Sequence, residues 1–408
     1  MDSYYRPTWV EISLDALRHN YKEFRKAIPQ AMKIMAVVKA NGYGHGAKEV
    51  AWEALDCGAD YLGVAFMDEA IELRRSGITA PILVLGYTSP EGVDLALTHD
   101  ITITVFSEEL LDYLEDFKNV IRPGTERALK IHIKLDTGMG RLGLRVEPNI
   151  SEGSRENEGQ EAILFIERAL KLEGVVVEGL FTHYACADET DNSYTYAQYE
   201  RFGGVVEYFR AKDITFPLVH AGNSATAIQF PGLSYTMVRL GISLYGLYPS
   251  EEVNRQEVQL LPVMSFKTAV IMAKILPPHS GVSYGAIYHT SGDEQIATLP
   301  VGYADGYTRM LTGRGEVLIR GQKVPIVGRI CMDQCMINVS GLPSVEVGEE
   351  VVLFGRQGDA VITADDLAKQ LGTINYEITC MVSNRVPRTY IRDGQIIDVV
   401  NPLFGGAG

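Results

Sequence analysis

Eight short apolar runs recur through the first 241 residues, most of them followed by a stretch with helical spacing. They are KIMAVVK at 33–39, YLGVAF at 61–66, PILVLG at 81–86, ITITVF at 101–106, LKIHIKL at 129–135, VVVEGLF at 175–181, FPLVHAG at 216–222 and YTMVRLG at 235–241. A strand covered by helices on both faces reads as a continuous apolar run rather than an alternation. Intervening segments such as MDEAIELRRSG and YAQYERFGGVVEYFRAK carry the helical pattern. Leu14, Leu17, Tyr21, Phe24 and Ile28 share one face of a helix predicted over Ser13–Ile28. Eight strand–helix units over about 230 residues fit the usual size of a (β/α)8 barrel. A doubly wound parallel sheet is the competing α/β arrangement, and the count of eight favours the barrel.

The pattern changes near residue 250, where LYPSEEVNRQEVQLLP is polar and turn-rich. Closely spaced strand patterns follow: SFKTAVIMAKIL, QIATLPVG, EVLIRG, KVPIVG, CMINVS and EVVLFG, with one helix at ADDLAKQLG. The expected organisation is an α/β barrel over 14–248 and a mainly β domain over 249–408. The polar stretch at 147–161 is expected to be an exposed loop insertion. A net charge of −15 argues against nucleic acid or a membrane surface as partner, since both are anionic. No run approaches a membrane span or a signal peptide, and five scattered cysteines suit a reducing cytoplasm. Cys331 and Cys335, four apart, would share a face of a strand, but no second ligand pair accompanies them, so no metal is expected.

In barrel enzymes the polar groups just past the strands build the active site. The first run ends in Lys39-Ala-Asn-Gly-Tyr43-Gly-His45, the fifth in Lys134-Leu-Asp136-Thr-Gly-Met-Gly-Arg141 and the sixth in Thr182-His183-Tyr184. The seventh ends in His220-Ala-Gly-Asn223-Ser224, and the eighth holds Arg239 before Gly241-Ile242. A partly desolvated Lys39 suits Schiff-base chemistry, although a lysine at a strand end also simply reaches for water. Tyr43, Asn223, Ser224, Gly241 and Ile242 together suit a phosphate, while Asn-Ser is equally an ordinary helix cap. His183 could be a core histidine. Arg141 and Arg239, at the ends of apolar strands, are expected to need an anion or a ring nitrogen. Gly138-Met-Gly-Arg-Leu-Gly143 matches the dinucleotide fingerprint, yet a polar stretch follows where a second strand ending in an acid is required. Tyr284 and Tyr303 stand beside glycines and read equally as turn aromatics.

Taken together, AVVKANGYGHG, KLDTGMGRLG, EGLFTHYACADE, HAGNSATA, VRLGISLYG, VSYGA, PVGYADGY, VPIVGRICMDQCMINV and TINYE resemble the signature segments of the alanine racemase family, in order. The resemblance runs from about residue 7 to about 400 and implies a pyridoxal-phosphate enzyme acting as a homodimer. It implies that residues 1–13 add a strand to the C-terminal domain. By the same resemblance Lys39 would carry the cofactor and act as one base, and Tyr284 of the partner subunit as the other. Arg239 would bond the pyridine nitrogen, with His183 linking Arg239 to Tyr284. Tyr43, Ser224, Gly241, Ile242 and Tyr376 would hold the phosphate. Arg141 would meet the substrate carboxylate together with the Met332 backbone of the partner. Lys134 matches a lysine that is carbamylated in many members, and Tyr303 and Tyr376 match an aromatic constriction at the substrate entrance.

Those roles are chemically coherent, because racemisation removes a proton from one face of the α-carbon and returns one to the other. Alanine is the implied substrate, for a role in supplying D-alanine to peptidoglycan. Serine or several amino acids are the nearest alternative, since one hydroxyl is worth only ~1–3 kcal/mol of discrimination. A barrel-type decarboxylase would need a cysteine–acid pair not found in the sequence. A non-catalytic cofactor-binding protein would resemble the barrel alone.

Overall fold

The computed structural model describes residues 4–117, 128–146 and 160–404. By contacts the chain forms two compact units, one of Arg18–Gly42 with Ala47–Leu260, the other of Met1–Leu17, Tyr43–Gly46 and Leu261–Gly408.

Strand β1 (Thr8–Ser13) belongs to the second unit. All eight expected strands of the first unit are present: β2 (Lys33–Val37), β3 (Tyr61–Val64), β4 (Ile82–Val84), β5 (Thr102–Val105), β6 (Leu129–Asp136), a two-residue β7 (Leu144–Arg145) on the edge of β6, β8 (Val175–Phe181), β9 (Leu218–His220) and β10 (Met237–Leu240). Their order, β10-β2-β3-β4-β5-β6-β8-β9, is parallel throughout. Sequence neighbours pair in turn, and β10 returns to β2 with Arg239 opposite Met35. Between β9 and β10 the ladder is replaced by Thr236 N–H donating to Val219 O at 2.9 Å and a bridge from His220 to Tyr235. The result is a nearly closed (β/α)8 barrel, not a doubly wound sheet. Complete burial of β3, β4 and β5 accounts for their unbroken apolar runs. The helix Leu14–Ala27 forms where its period was read, with Leu14, Leu17, Tyr21 and Phe24 buried. Each such side chain contributes roughly 1.5–3 kcal/mol.

The second unit is mainly β. Its strands are β11 (Met264–Ala269), β12 (Met272–Leu276), β13 (Gly281–Val282), β14 (Tyr288–His289), β15 (Glu294–Leu299), β16 (Glu316–Ile319), β17 (Gln322–Val327), β18 (Cys335–Asn338), β19 (Glu350–Gln357), β20 (Ala360–Ile362), β21 (Arg388–Arg392) and β22 (Gln395–Val400). β1 lies between β11, antiparallel with Thr8 opposite Thr268, and β21, parallel with Val10 opposite Arg388. The single expected helix appears as Ala364–Leu371, with a second, Asn375–Cys380, that the sequence reading did not pick out. Cys331 does not share a strand face with Cys335: a turn closed by Cys331 N–H to Gln334 O at 2.9 Å separates it from β18. The stretch at 147–161 falls outside the described residues except for Gln160 and Glu161, which open the helix Gln160–Ala169 rather than ending a loop. Among the described residues no helix is long and apolar enough to cross a membrane.

Candidate active site

Lys39 follows β2 almost directly, and the residues after it, Ala40, Asn41, Gly42 and Tyr43, all have φ between 52° and 60°. Left-handed backbone costs a residue with a Cβ roughly 1–2 kcal/mol, and three of these four carry one, so the turn needs outside support. Glu69 supplies it. Its carboxylate accepts from Ala40 N at 2.6 Å, and from Ala65 N and Phe66 N at 2.7 and 3.2 Å. Asn41 Oδ1 accepts from Ala47 N at 3.0 Å, and the Tyr245 hydroxyl donates to Val37 O at 2.9 Å. The sequence showed a glycine-containing turn here, but only Gly42 signals positive φ, and Glu69 lies on another element.

Arg239, on β10 and 4% exposed, is held by four acceptors. Nη1 donates to His220 Nδ1 at 2.8 Å; Nη2 donates to His183 Nδ1 at 3.0 Å and to Thr182 O and Ala221 O, each at 2.9 Å. Burial brings its pKa down to about 10, which leaves it a cation at neutral pH. His183 and His220 are pushed well below the usual imidazole range, first by burial and then by the Arg239 charge, so both are neutral acceptors. The Phe181 ring stacks on His220 at 4.7 Å, with Arg239 5.6 Å and Lys134 5.4 Å from its centre. Sequence reasoning missed Phe181 and left His220 without a role.

Lys134, on β6 and 6% exposed, has its pKa lowered to about 8, by burial first and then by Arg141, Arg239 and Lys39, with Asp136 opposing. Arg141, expected to need an anion or a ring nitrogen, is exposed, in the loop that leaves β6. Asp136 Oδ1 shapes that loop by accepting from Gly138 N and Gly140 N at 2.9 and 3.1 Å. Gly143, at φ 128°, lies so close to β6 that a Cβ would fall 2.6 Å from Asp136 N. These glycines fold a loop against its own strand, and β7 then pairs with β6. That geometry removes the dinucleotide reading, which requires a helix opening at the glycines.

Ser224 Oγ, 4% exposed, accepts from Gly241 N at 3.0 Å and from Ser243 N at 3.5 Å, which joins the loops after β9 and β10. The hydroxyl proton is what Ser224 has left to donate. Asn223 caps the helix Ser224–Gln229 through Thr226 N at 3.0 Å and holds Thr226 Oγ1 at 3.1 Å. Its side chain therefore does the capping that was the alternative reading. Ile242 is buried at the start of the turn Ile242–Tyr245.

In the second unit, Tyr43 and Tyr376 bring their rings to 6.2 Å. The 43–46 segment is fastened there by Arg388, whose Nε and Nη2 donate to Gly44 O at 3.2 Å, and by Tyr390 Oη to His45 O at 3.1 Å. Tyr284, Tyr303 and Met332 are 69%, 42% and 53% exposed. Tyr303 N and Ala304 N donate to Cys331 O and Met332 O at 3.1 Å, and Ser283 Oγ donates to Arg329 O at 2.6 Å, so these three belong to one neighbourhood.

Arg141, Arg239 and Lys39 thus all bear electrostatically on Lys134, with Asp136 opposing them, at the ends of barrel strands. Such a donor set fits an anionic cofactor and a carboxylate substrate. Fold and site define a barrel enzyme with a cationic centre rich in acid–base groups. The alanine racemase N-terminal domain family matches residues 12–249, and the alanine racemase C-terminal domain family matches residues 263–390. An alanine racemase of Halalkalibacterium halodurans is 48% identical, over 99% of this chain and 100% of its own. An alanine racemase structure from Clostridium difficile 630 aligns with a TM-score of 0.90 at 40% identity, over 98% of this chain and 100% of its own. A histidine racemase structure from Leuconostoc mesenteroides aligns with a TM-score of 0.83 at 31% identity, over 96% and 100%. The chain belongs to the alanine racemase family.

Proposed function

We propose that this enzyme interconverts L- and D-alanine with pyridoxal phosphate by a two-base mechanism, as a cytoplasmic homodimer supplying D-alanine for peptidoglycan. The convergence of Lys39, Arg141 and Arg239 on Lys134 carries the reading, because it matches the negative charges of that cofactor and of an amino acid. When bound, the cofactor acidifies the α-proton of an amine attached to it. Lys39 would hold the cofactor and exchange a proton on one face of the α-carbon, and Tyr284 of the partner subunit would do so on the other. Arg239 would donate to the ring nitrogen and keep its proton. His183, accepting from Arg239 through Nδ1, would offer Nε2–H to the Tyr284 phenol. Tyr43, Ser224, Gly241, Ile242 and Tyr376 would bind phosphate, with Asn223 ordering that loop.

Arg141 and the partner's Met332 backbone would receive the substrate carboxylate, behind a narrow entrance lined by Tyr303 and Tyr376. Lys134, with its pKa near 8, has enough neutral amine to attack carbon dioxide and release a proton, leaving a carbamate that orients Arg141. Exposure of Tyr284, Tyr303 and Met332 in the single chain supports a partner subunit over them.

Incubation with pyridoxal phosphate and L-alanine, followed by chiral chromatography, should yield D-alanine. Lys39→Ala should yield none, and Tyr284→Phe should impair proton exchange from L-alanine more than from D-alanine. No D-alanine from the wild-type chain would end the proposal. If L-histidine or L-serine were turned over in its place, the chemistry would stand and the substrate would change.

A further inference from the structure

Arg239 is a buried cation whose four partners are two ring nitrogens and two carbonyls, with no carboxylate among them. The nearest anion in its hydrogen-bond network lies two imidazoles away. His220 Nε2 is 2.9 Å from His132 Nδ1, and His132 Nε2 is 3.2 Å from Glu178 Oε2. Tyr61 donates to the same oxygen at 2.7 Å and lies 2.8 Å from Thr102 Oγ1. His132 and His220 are fully buried and the Glu178 side chain is 20% exposed.

The donor inventory leaves this chain one polarity. A guanidinium only donates, so His220 Nδ1 accepts and the neutral ring carries its proton on Nε2. That proton is given to His132 Nδ1, so His132 also carries its proton on Nε2, and that one goes to Glu178, which only accepts. The cation at one end and the anion at the other therefore impose the same tautomers. Adding a proton to His220 would set Nδ1–H against the guanidinium, and adding one to His132 would set Nδ1–H against His220. The chain is thus a fixed line of dipoles and not a proton shuttle. Burial and the Arg239 charge lower both imidazoles, although Glu178 favours the charged form of His132. Burial opposes ionisation of Glu178, but the hydrogen bonds from His132 and Tyr61 outweigh it and hold the carboxyl below its usual range, with Lys130 assisting. Lys134 bears on His220 with the same sign as Arg239.

The backbone is adapted to the arrangement. Along β6 and β8, Ile131 is opposite Val177 but His132 is opposite Gly179, so Glu178 is the extra residue of a bulge. Bulges re-aim a side chain beside a functional site and are rare between parallel strands. Gly179 leaves the room that His132 fills, because a Cβ there would lie 2.5 Å from its Nδ1.

We propose that Glu178 is the remote counter-ion and positioning residue of Arg239, acting through His132 and His220 as a one-way hydrogen-bond relay. The relay stabilises the buried cation without spending a carboxylate on it, so the second Nη1 hydrogen and Nε–H, which none of those four partners takes, are left for a ligand. This rests on the reading of Arg239 as the partner of the cofactor's ring nitrogen.

Two measurements test it. Nitrogen NMR of the wild-type enzyme should show His132 and His220 as neutral Nε2–H tautomers from neutral to mildly acidic pH. A cationic ring or an Nδ1–H tautomer would overturn the relay whatever the enzyme catalyses. Next, the cofactor-free full-length chain and its Glu178→Gln variant are titrated with pyridoxal phosphate and with the analogue that has carbon in place of the ring nitrogen. The variant should bind pyridoxal phosphate about tenfold more weakly and the analogue nearly as well as the parent does. Equal weakening of both, or of neither, would reduce Glu178 to a structural residue. If Glu178→Gln fails to fold, Tyr61→Phe, which removes the second bond to the same carboxylate oxygen, should give a smaller effect of the same selectivity, and an unselective effect would overturn the proposal. If the wild-type chain bound neither probe, the cofactor reading would fall while the NMR result still decided the relay.

Discussion

Lys134 shows how one buried amine links stability to chemistry. Its pKa of about 8 lies below the ordinary 10.5, so the folded chain holds that proton less tightly than the unfolded chain does. Carrying the charge therefore costs stability in full below pH 8, and the cost is relieved as pH rises toward 10.5. The shift corresponds to a penalty on the order of 3 kcal/mol. In carbonate-free buffer Lys134→Met should be more stable than the parent at neutral pH, with the gap closing above pH 8, as measured by denaturant unfolding across pH. A gap that widens with pH would contradict the shift. With labelled bicarbonate present, the parent and not the variant should show a carbamate resonance.

At the level of elements, the ends of β2 and β3 are tied by a single carboxylate. Glu69 holds three backbone N–H groups, one of them next to Lys39. Without that acceptor the left-handed turn has less to hold it, and small misplacements of a reacting group cost about a hundredfold in rate. Glu69→Ala should therefore lower turnover in the chiral assay by roughly ten- to a hundredfold with only a few degrees lost in melting temperature. Glu69→Gln, which keeps one acceptor oxygen, should recover part of it. Unchanged turnover in Glu69→Ala would show that the turn holds itself.

Over the whole chain, the first strand, Thr8–Ser13, is built into the interior of the second unit's sheet. β1 separates β11 from β21, Thr8 Oγ1 bonds Pro300 O at 2.9 Å, and Arg6 pairs at 2.8 Å with the fully buried Asp305. Asp305 in turn accepts from Gly302 N at 3.1 Å beside Tyr303. Removing residues 1–13 would expose two strand edges, and insoluble protein is the expected outcome in an expression trial. Among the described residues, Arg6→Ala leaves Asp305 a single cationic partner, Arg385 at 3.7 Å, beside the Gly302 N–H. Because Arg6 is partly exposed, the loss should be about 2 kcal/mol rather than the larger cost of breaking a buried pair. A denaturation midpoint equal to the parent's would contradict that pairing.

The amino-acid order alone was enough to mark the eight barrel strands, the helix Leu14–Ala27, the change to a β-rich C-terminal half and the polar residues past each strand, because apolar periodicity and strand-end position are local properties. It was not enough to foresee the left-handed turn at Lys39, the exposure of Arg141, the fold-back of the Gly138–Gly143 loop, or the line from Arg239 to Glu178. His132 stood in plain view two residues before Lys134, on the same face of β6, yet read as one more strand residue. Each of these features depends on which strand lies beside which, and at what register. A bulge that skips Glu178, or a first strand that finds Thr268 as its partner, is decided only when distant segments compete for the same hydrogen bonds and the same buried volume.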